Sequence, residues 1–171
     1  LIVHGRYQDR HAGFGLMYVN MRQAWMEGFR YLVGKGHRGI GIISQRPDEI
    51  RDWKYEELPG LYRSLGLDFD PSLFASADFE PDLIHAAAQK ILDAENPPTA
   101  LFCFSDFYAI EVMNYFRLKR IRIPEDIAVM GYCGYPGATL LDPPLSTIDL
   151  NYRSIGRASV ELLASSDSWF Q

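Results

Sequence analysis

The sequence predicts an α/β fold, a parallel sheet doubly wound with helices on both faces. Two stretches carry most of that expectation: PTALFCFSDFYAIEVMNYFRLKRIRIPEDIAVMGY, from Pro98 to Tyr132, and DPPLSTIDLNYRSIGRASVELL, from Asp142 to Leu163. Together they read as a strand, a helix, a strand and a loop leading into another helix. The third observation is that short apolar runs alternate with longer segments of helical period, as crossover helices between parallel strands require.

Taken in order, Leu1 to His4 and Gly39 to Ile43 are apolar runs of strand length, and Leu73 to Ala75 is a weaker one. Ala100 to Phe104 and Ile127 to Met130 lack polar alternation, which marks strands covered on both faces and hence central. Between them, Trp25, Phe29 and Leu32 form an apolar helical stripe, as do Leu58, Leu61 and Leu65, and Leu83, Ala87 and Ile91. Ala109, Val112, Met113 and Phe116 follow the i, i+3, i+4, i+7 spacing of a core-facing helix. Gly34 and Gly36 close the first helix, Asn96, Pro97 and Pro98 the third, and Pro124 turns the chain before the last central strand. A final helix is expected from an N-cap at Ser154, with Ile155, Ala158, Leu162 and Leu163 turned inward.

Composition excludes several function classes. A net charge of -5 argues against a chain that itself wraps nucleic acid, because neutralising phosphates needs a basic face. The two cysteines, Cys103 in an apolar run and Cys133 after a strand, are too few for a disulfide framework and fit a reducing compartment. No apolar run approaches the roughly 20 residues that span a bilayer, so no membrane partner is expected. The chain has no initiator Met and is expected to begin inside a larger protein.

Reactive constellations are missing. There is no GxSxG elbow, and Ser105 and Asp106, at a strand's C-terminal end, have no evident histidine partner, so no catalytic residues are assigned and no enzyme is expected. His4, His11, His37 and His85 are scattered, with no CxxC or HExxH spacing, so no metal is expected; His37 reads as a turn residue. GKGHRGIG, from Gly34 to Gly41, is glycine-rich but precedes a strand, whereas a phosphate-cradling loop follows one and opens a helix. It reads as a helix C-cap and a close-packed strand entry, and no cofactor is expected.

What remains is a crevice at the C-terminal ends of parallel strands, where open sheets bind small molecules. The loops there run from Ser44 to Lys54, Ala77 to Pro81, Ser105 to Asp106 and Tyr132 to Asp142. Phe79 can stack on a ring or an apolar sugar face, or can staple the following helix to the core. Asp106 can accept from ligand hydroxyls, though a cap on a helix beginning at Phe107 is the favoured role. Lys54 offers a cation and Trp53 a flat surface, or the pair forms a solvated face with one buried ring.

The same segments resemble the effector-binding region of the LacI/GalR family of bacterial transcriptional repressors. LVGKGHRGIGII (Leu32 to Ile43) resembles the family's helix end, GHR turn and strand. PTALFCFSDFYAIEVM (Pro98 to Met113) resembles its strand and Asn-Asp turn, with Ser105 where Asn is common. IPEDIAVMGY matches a proline, an acidic residue and a strand ending in Gly-Tyr, and PPLSTIDLNYRSIGRASVELL matches the crossover and the helix after it. The resemblance implies a type I periplasmic-binding-protein-like fold, essentially the C-terminal lobe with pieces of the N-terminal lobe. Residues 1–20 would end the N-terminal lobe, 21–147 would form the C-terminal effector-binding lobe, and 148–171 would cross back into the first.

By the same resemblance the domain senses a small effector, a sugar or related metabolite. Homodimers of the whole cytoplasmic protein bind operator DNA through a helix-turn-helix that is not among these residues. Phe79 falls where the family places an aromatic that stacks on the effector, and Lys54 where an Arg commonly clamps its oxygens. Ser105 keeps a polar handle with less reach, and Cys133 and Gly134 stand where acidic residues usually bind sugar hydroxyls. Leu150 and Tyr152 fall beside positions that reach the effector from the hinge. The alternative is a secreted sugar-binding protein for transport, which shares the fold.

Overall fold

The computed structural model describes residues 2–4, 15–17, 19–45 and 55–165, which fall into two compact units. The smaller contains Leu1–Met21 and Leu150–Gln171, the larger Arg22–Asp149. In the smaller unit, β1 (Ile2–His4) pairs in parallel with β2 (Gly15–Met17), and α5 spans Tyr152–Ser165.

The larger unit is a five-stranded, all-parallel sheet. Its strands are β3 (Ile40–Ser44), β4 (Phe74–Ser76), β5 (Ala100–Cys103), β6 (Ala128–Cys133) and β7 (Ser146–Asp149), in the order β4-β3-β5-β6-β7. Its helices are α1 (Met21–Gly34, whose first residue belongs to the smaller unit), α2 (Leu58–Ser64), α3 (Pro81–Leu92) and α4 (Asp106–Lys119). The register Ile40↔Ala100↔Ala128 sets three interior strands side by side.

The period of two along β5 shows why both faces are covered. Leu101 and Cys103 belong to the core that also holds Ile84, Ala88 and Ile91 of α3 and Ala109, Val112 and Phe116 of α4. Phe102 points the other way, with its ring 4.9 Å from Phe29 of α1, and Phe104 just beyond β5 stacks on Trp25 at 4.6 Å. Close approach of α1 depends on Gly28, where a Cβ would lie 2.4 Å from the Phe102 ring. Tyr62 of α2 closes this face, its buried hydroxyl donating to the Ile40 carbonyl at 2.7 Å.

The helix stops follow the expected chemistry. After α1, Gly36 takes φ 98°, and the His37 ring nitrogen Nδ1 meets Thr99 Oγ1 at 2.9 Å, a turn residue tying two sheet entries together. After α4, the guanidinium of Arg122 donates to the Asp126 carboxylate across the turn that enters β6.

Several expectations are corrected. β7 lies in a stretch read as loop; its sequence STID has no apolar run, and as the sheet's edge it needs none. β2 is a three-residue strand, too short to set a period. On α3, Ile84 is fully buried while Leu83 is 47% exposed, because the helix starts at Pro81 and that start sets which residue meets the sheet. α5 begins at Tyr152, two residues before the expected cap, and the Asn151 side-chain oxygen accepts from Ser154 N at 3.3 Å. Leu162 and Leu163 of α5 are exposed rather than turned inward. Among the described residues, the smaller unit contains two three-residue strands and that helix.

Candidate functional site

The C-terminal ends of β4, β5, β6 and β7 bring Ala77–Phe79, Phe104–Phe107, Cys133–Tyr135 and Asp149 to one end of the larger unit. Parallel order forces this, since every strand ends at the same side of the sheet.

Phe79 follows β4 and remains 51% exposed. Beneath it lies Tyr108, fully buried on the first turn of α4, with ring centroids 4.9 Å apart and planes inclined by 35°. The Tyr108 hydroxyl donates to the Ala77 carbonyl at 2.8 Å, which fixes the loop carrying Phe79. Phe107, 40% exposed, flanks it at 5.7 Å. Two exposed aromatic rings with one buried support form a platform suited to the flat or apolar face of a small molecule. Phe107, Tyr108 and Tyr135 escaped the sequence reading. For Phe107 and Tyr108 the available signal was an aromatic pair directly after the strand-end Ser-Asp.

Ser105, not Asp106, caps α4: its Oγ accepts from Phe107 N at 3.1 Å. That corrects the expected cap by one residue, because the helix starts at Asp106 rather than Phe107. The Asp106 side chain is 4% exposed and turns across the sheet instead. Its Oδ2 accepts from Tyr135 N at 2.6 Å and its Oδ1 from the Thr147 hydroxyl at 2.6 Å. Below it, burial and the Asp106 charge push the Cys103 thiol well above the usual range, so Cys103 is a core residue rather than a nucleophile.

Cys133 ends β6 at φ 120°, and Gly134 follows at φ 74°. A Cβ on Gly134 would lie 2.8 Å from the Asp149 Cα, so both the dihedral and the contact require glycine here. Tyr135, half exposed, continues the loop. Tyr152 is exposed and belongs to the smaller unit, where Leu150 is buried. Trp53 and Lys54 lie outside the described residues. Among the described residues, no group of three or more His, Cys, Asp or Glu is placed to hold a metal ion, and Cys103 and Cys133 form no disulfide.

A doubly wound parallel sheet with an aromatic and polar rim at its strand ends is the arrangement in which open α/β sheets hold small molecules. The chain belongs to the periplasmic binding protein-like domain family, whose model matches residues 29–166. It is 33% identical over 137 residues to the HTH-type transcriptional repressor PurR of Aliivibrio salmonicida, covering 78% of this chain and 40% of that protein. It is 32% identical over 150 residues to the HTH-type transcriptional repressor CytR of Escherichia coli K12, covering 86% and 43% respectively. A LacI family transcriptional regulator from Lactobacillus casei with bound sucrose superposes with a TM-score of 0.81 at 22% identity, covering 98% of this chain and 65% of that one, a likeness of fold. The chain thus spans less than half the length of the two repressors.

Proposed function

We propose that this chain is the ligand-sensing part of a bacterial transcriptional regulator that binds a sugar or related small metabolite and so modulates operator binding. The observation that carries the reading is the half-exposed Phe79 ring seated on the buried Tyr108 at the strand ends. Relatives that are repressors support regulation over transport and over enzymatic activity. As an operator-binding regulator the protein is read as cytoplasmic; among the described residues no helix is long and apolar enough to cross a membrane.

In this reading the whole protein is a homodimer that meets operator DNA through a separate helix-turn-helix. The effector shifts the DNA-binding equilibrium by favouring one conformation. Phe79 stacks on the effector, while Ser105 and Cys133 line the strand-end face. Lys54, Trp53 and Tyr152 are further effector contacts. With Cys133 where a carboxylate usually takes sugar hydroxyls, a ligand with a flat apolar face is favoured over a polyol.

A thermal-shift screen of sugars, sugar phosphates and nucleosides on the full-length protein tests this, because a ligand specific for the native state raises its melting temperature. At least one compound is expected to raise it and to change operator affinity. Equal operator affinity across the whole panel would sink the proposal.

A further inference from the structure

Asp106 and Ser44 are the buried polar side chains of the larger unit among the described residues, and only Asp106 carries a charge. Burying a carboxylate is costly unless its oxygens are satisfied, and a role in packing alone is met as well by an apolar side chain. Here the surroundings are built for the charge. Gly131 of β6 leaves the space it occupies, since a Cβ there would lie 2.1 Å from Asp106 Oδ1. Both oxygens are taken, one by Tyr135 N and one by the Thr147 hydroxyl, and that hydroxyl in turn accepts from Gly134 N at 3.3 Å.

The segment so held has unusual backbone. Cys133 and Gly134 both have positive φ, a region that an L-residue such as Cys133 holds only where its surroundings impose it. The clasp imposes it from two sides: Asp106 draws in the amide of Tyr135, and Thr147 draws in that of Gly134. Thr147 lies two residues before Asp149, the last residue of the larger unit, and Gly134 packs directly against Asp149. The loop after β6 and the end of β7 therefore form one hydrogen-bonded piece that reaches the crossing to the smaller unit.

We propose that Asp106 is a positioning residue: it touches no effector, and with Thr147 it locks the Cys133–Tyr135 loop to the end of β7, so that effector contacts on this loop are carried to the crossing at Asp149–Leu150. The inference rests on the effector-sensing reading for its purpose, but its test does not depend on a ligand. Amide hydrogen exchange is followed by mass spectrometry on the full-length protein and on Thr147→Val, Thr147→Ser and Asp106→Asn. Thr147→Val keeps the side-chain shape and removes the hydroxyl; Thr147→Ser keeps the hydroxyl.

The expected result is exchange about tenfold faster or more in Thr147→Val, in peptides spanning the Cys133–Tyr135 loop and the Asp149–Leu150 crossing, with β5 unchanged and Thr147→Ser like the parent. Asp106→Asn retains one acceptor oxygen and is expected to fall between. Unchanged exchange at the loop or the crossing in Thr147→Val overturns the proposal, as does an equal rise in β5, which would mean general destabilisation. Calorimetry with adenosine and D-ribose forms a separate arm. Failure of either compound to bind the parent counts against those ligands and the effector reading, and leaves the exchange result to decide the clasp.

Discussion

Tyr108 supports Phe79 from below while its hydroxyl, 2.8 Å from the Ala77 carbonyl, holds the loop on which Phe79 rides. One buried residue thus fixes both the height and the approach of an exposed one. Truncating Phe79 removes binding surface with little loss of core, because half of the ring is in solvent. Phe79→Ala is expected to leave the unfolding midpoint nearly unchanged and to weaken effector binding by about 0.5–1.5 kcal/mol, the usual worth of an aromatic stack. Unchanged affinity by calorimetry would remove Phe79 from the site.

Tyr108→Phe is the complementary change. It keeps the ring under Phe79 but leaves the Ala77 carbonyl without its buried donor, an expected loss of about 1–3 kcal/mol in urea unfolding. A stability equal to the parent's would show that water or a shifted backbone replaces that bond.

Gly131→Ala should be harsher than its size suggests. The new methyl meets Asp106 Oδ1 at 2.1 Å and Leu145 at 3.2 Å, so the carboxylate must leave its two partners or the strand must move. Overpacking of this kind costs about 1–3 kcal/mol, and loss of the carboxylate's hydrogen bonds adds to it. Thermal unfolding of this variant beside Gly60→Ala, an exposed glycine with no atom near its virtual Cβ, separates the steric cost from any general effect of alanine.

The turn before β6 supplies a pH dependence. Hydrogen bonds from the Arg122 side chain and backbone hold the Asp126 carboxyl down at about 2, below its ordinary 3.8. A carboxyl depressed in the folded state stabilises the fold above its unfolded value, and the contribution is lost as pH falls from about 4 towards 2. Both partners are exposed, so the effect is small. Melting temperatures of the parent and Asp126→Asn should differ at pH 6 and converge near pH 2; a constant difference would contradict the pairing.

The two cysteines should separate by reactivity. Cys103 is fully buried with its thiol pushed upward, whereas Cys133 is half-buried at the strand-end face. A thiol reagent is expected to modify Cys133 in the native protein and Cys103 only on unfolding, as intact-mass and peptide analysis would show. Modification of Cys103 at the native rate of Cys133 would mean that the β5 core opens freely.

Amino-acid order alone determined the doubly wound sheet, the central strands β5 and β6, the GHR turn and the place of Phe79. Each of these rests on local signals: apolar runs, helical spacing, glycine and proline stops, and aromatic residues beside a strand end. It was silent on β7, whose polar STID carries no strand period, and it misjudged the α3 stripe, where a start at Pro81 rotates Leu83 outward. Only the tertiary structure gave Asp106 its partners. Tyr135 and Thr147 lie 29 and 41 residues further along the chain. They meet its carboxylate because the sheet sets β6 beside β5 and β7 beside β6 and ends every strand on the same side, and no local pattern encodes so distant a hydrogen bond.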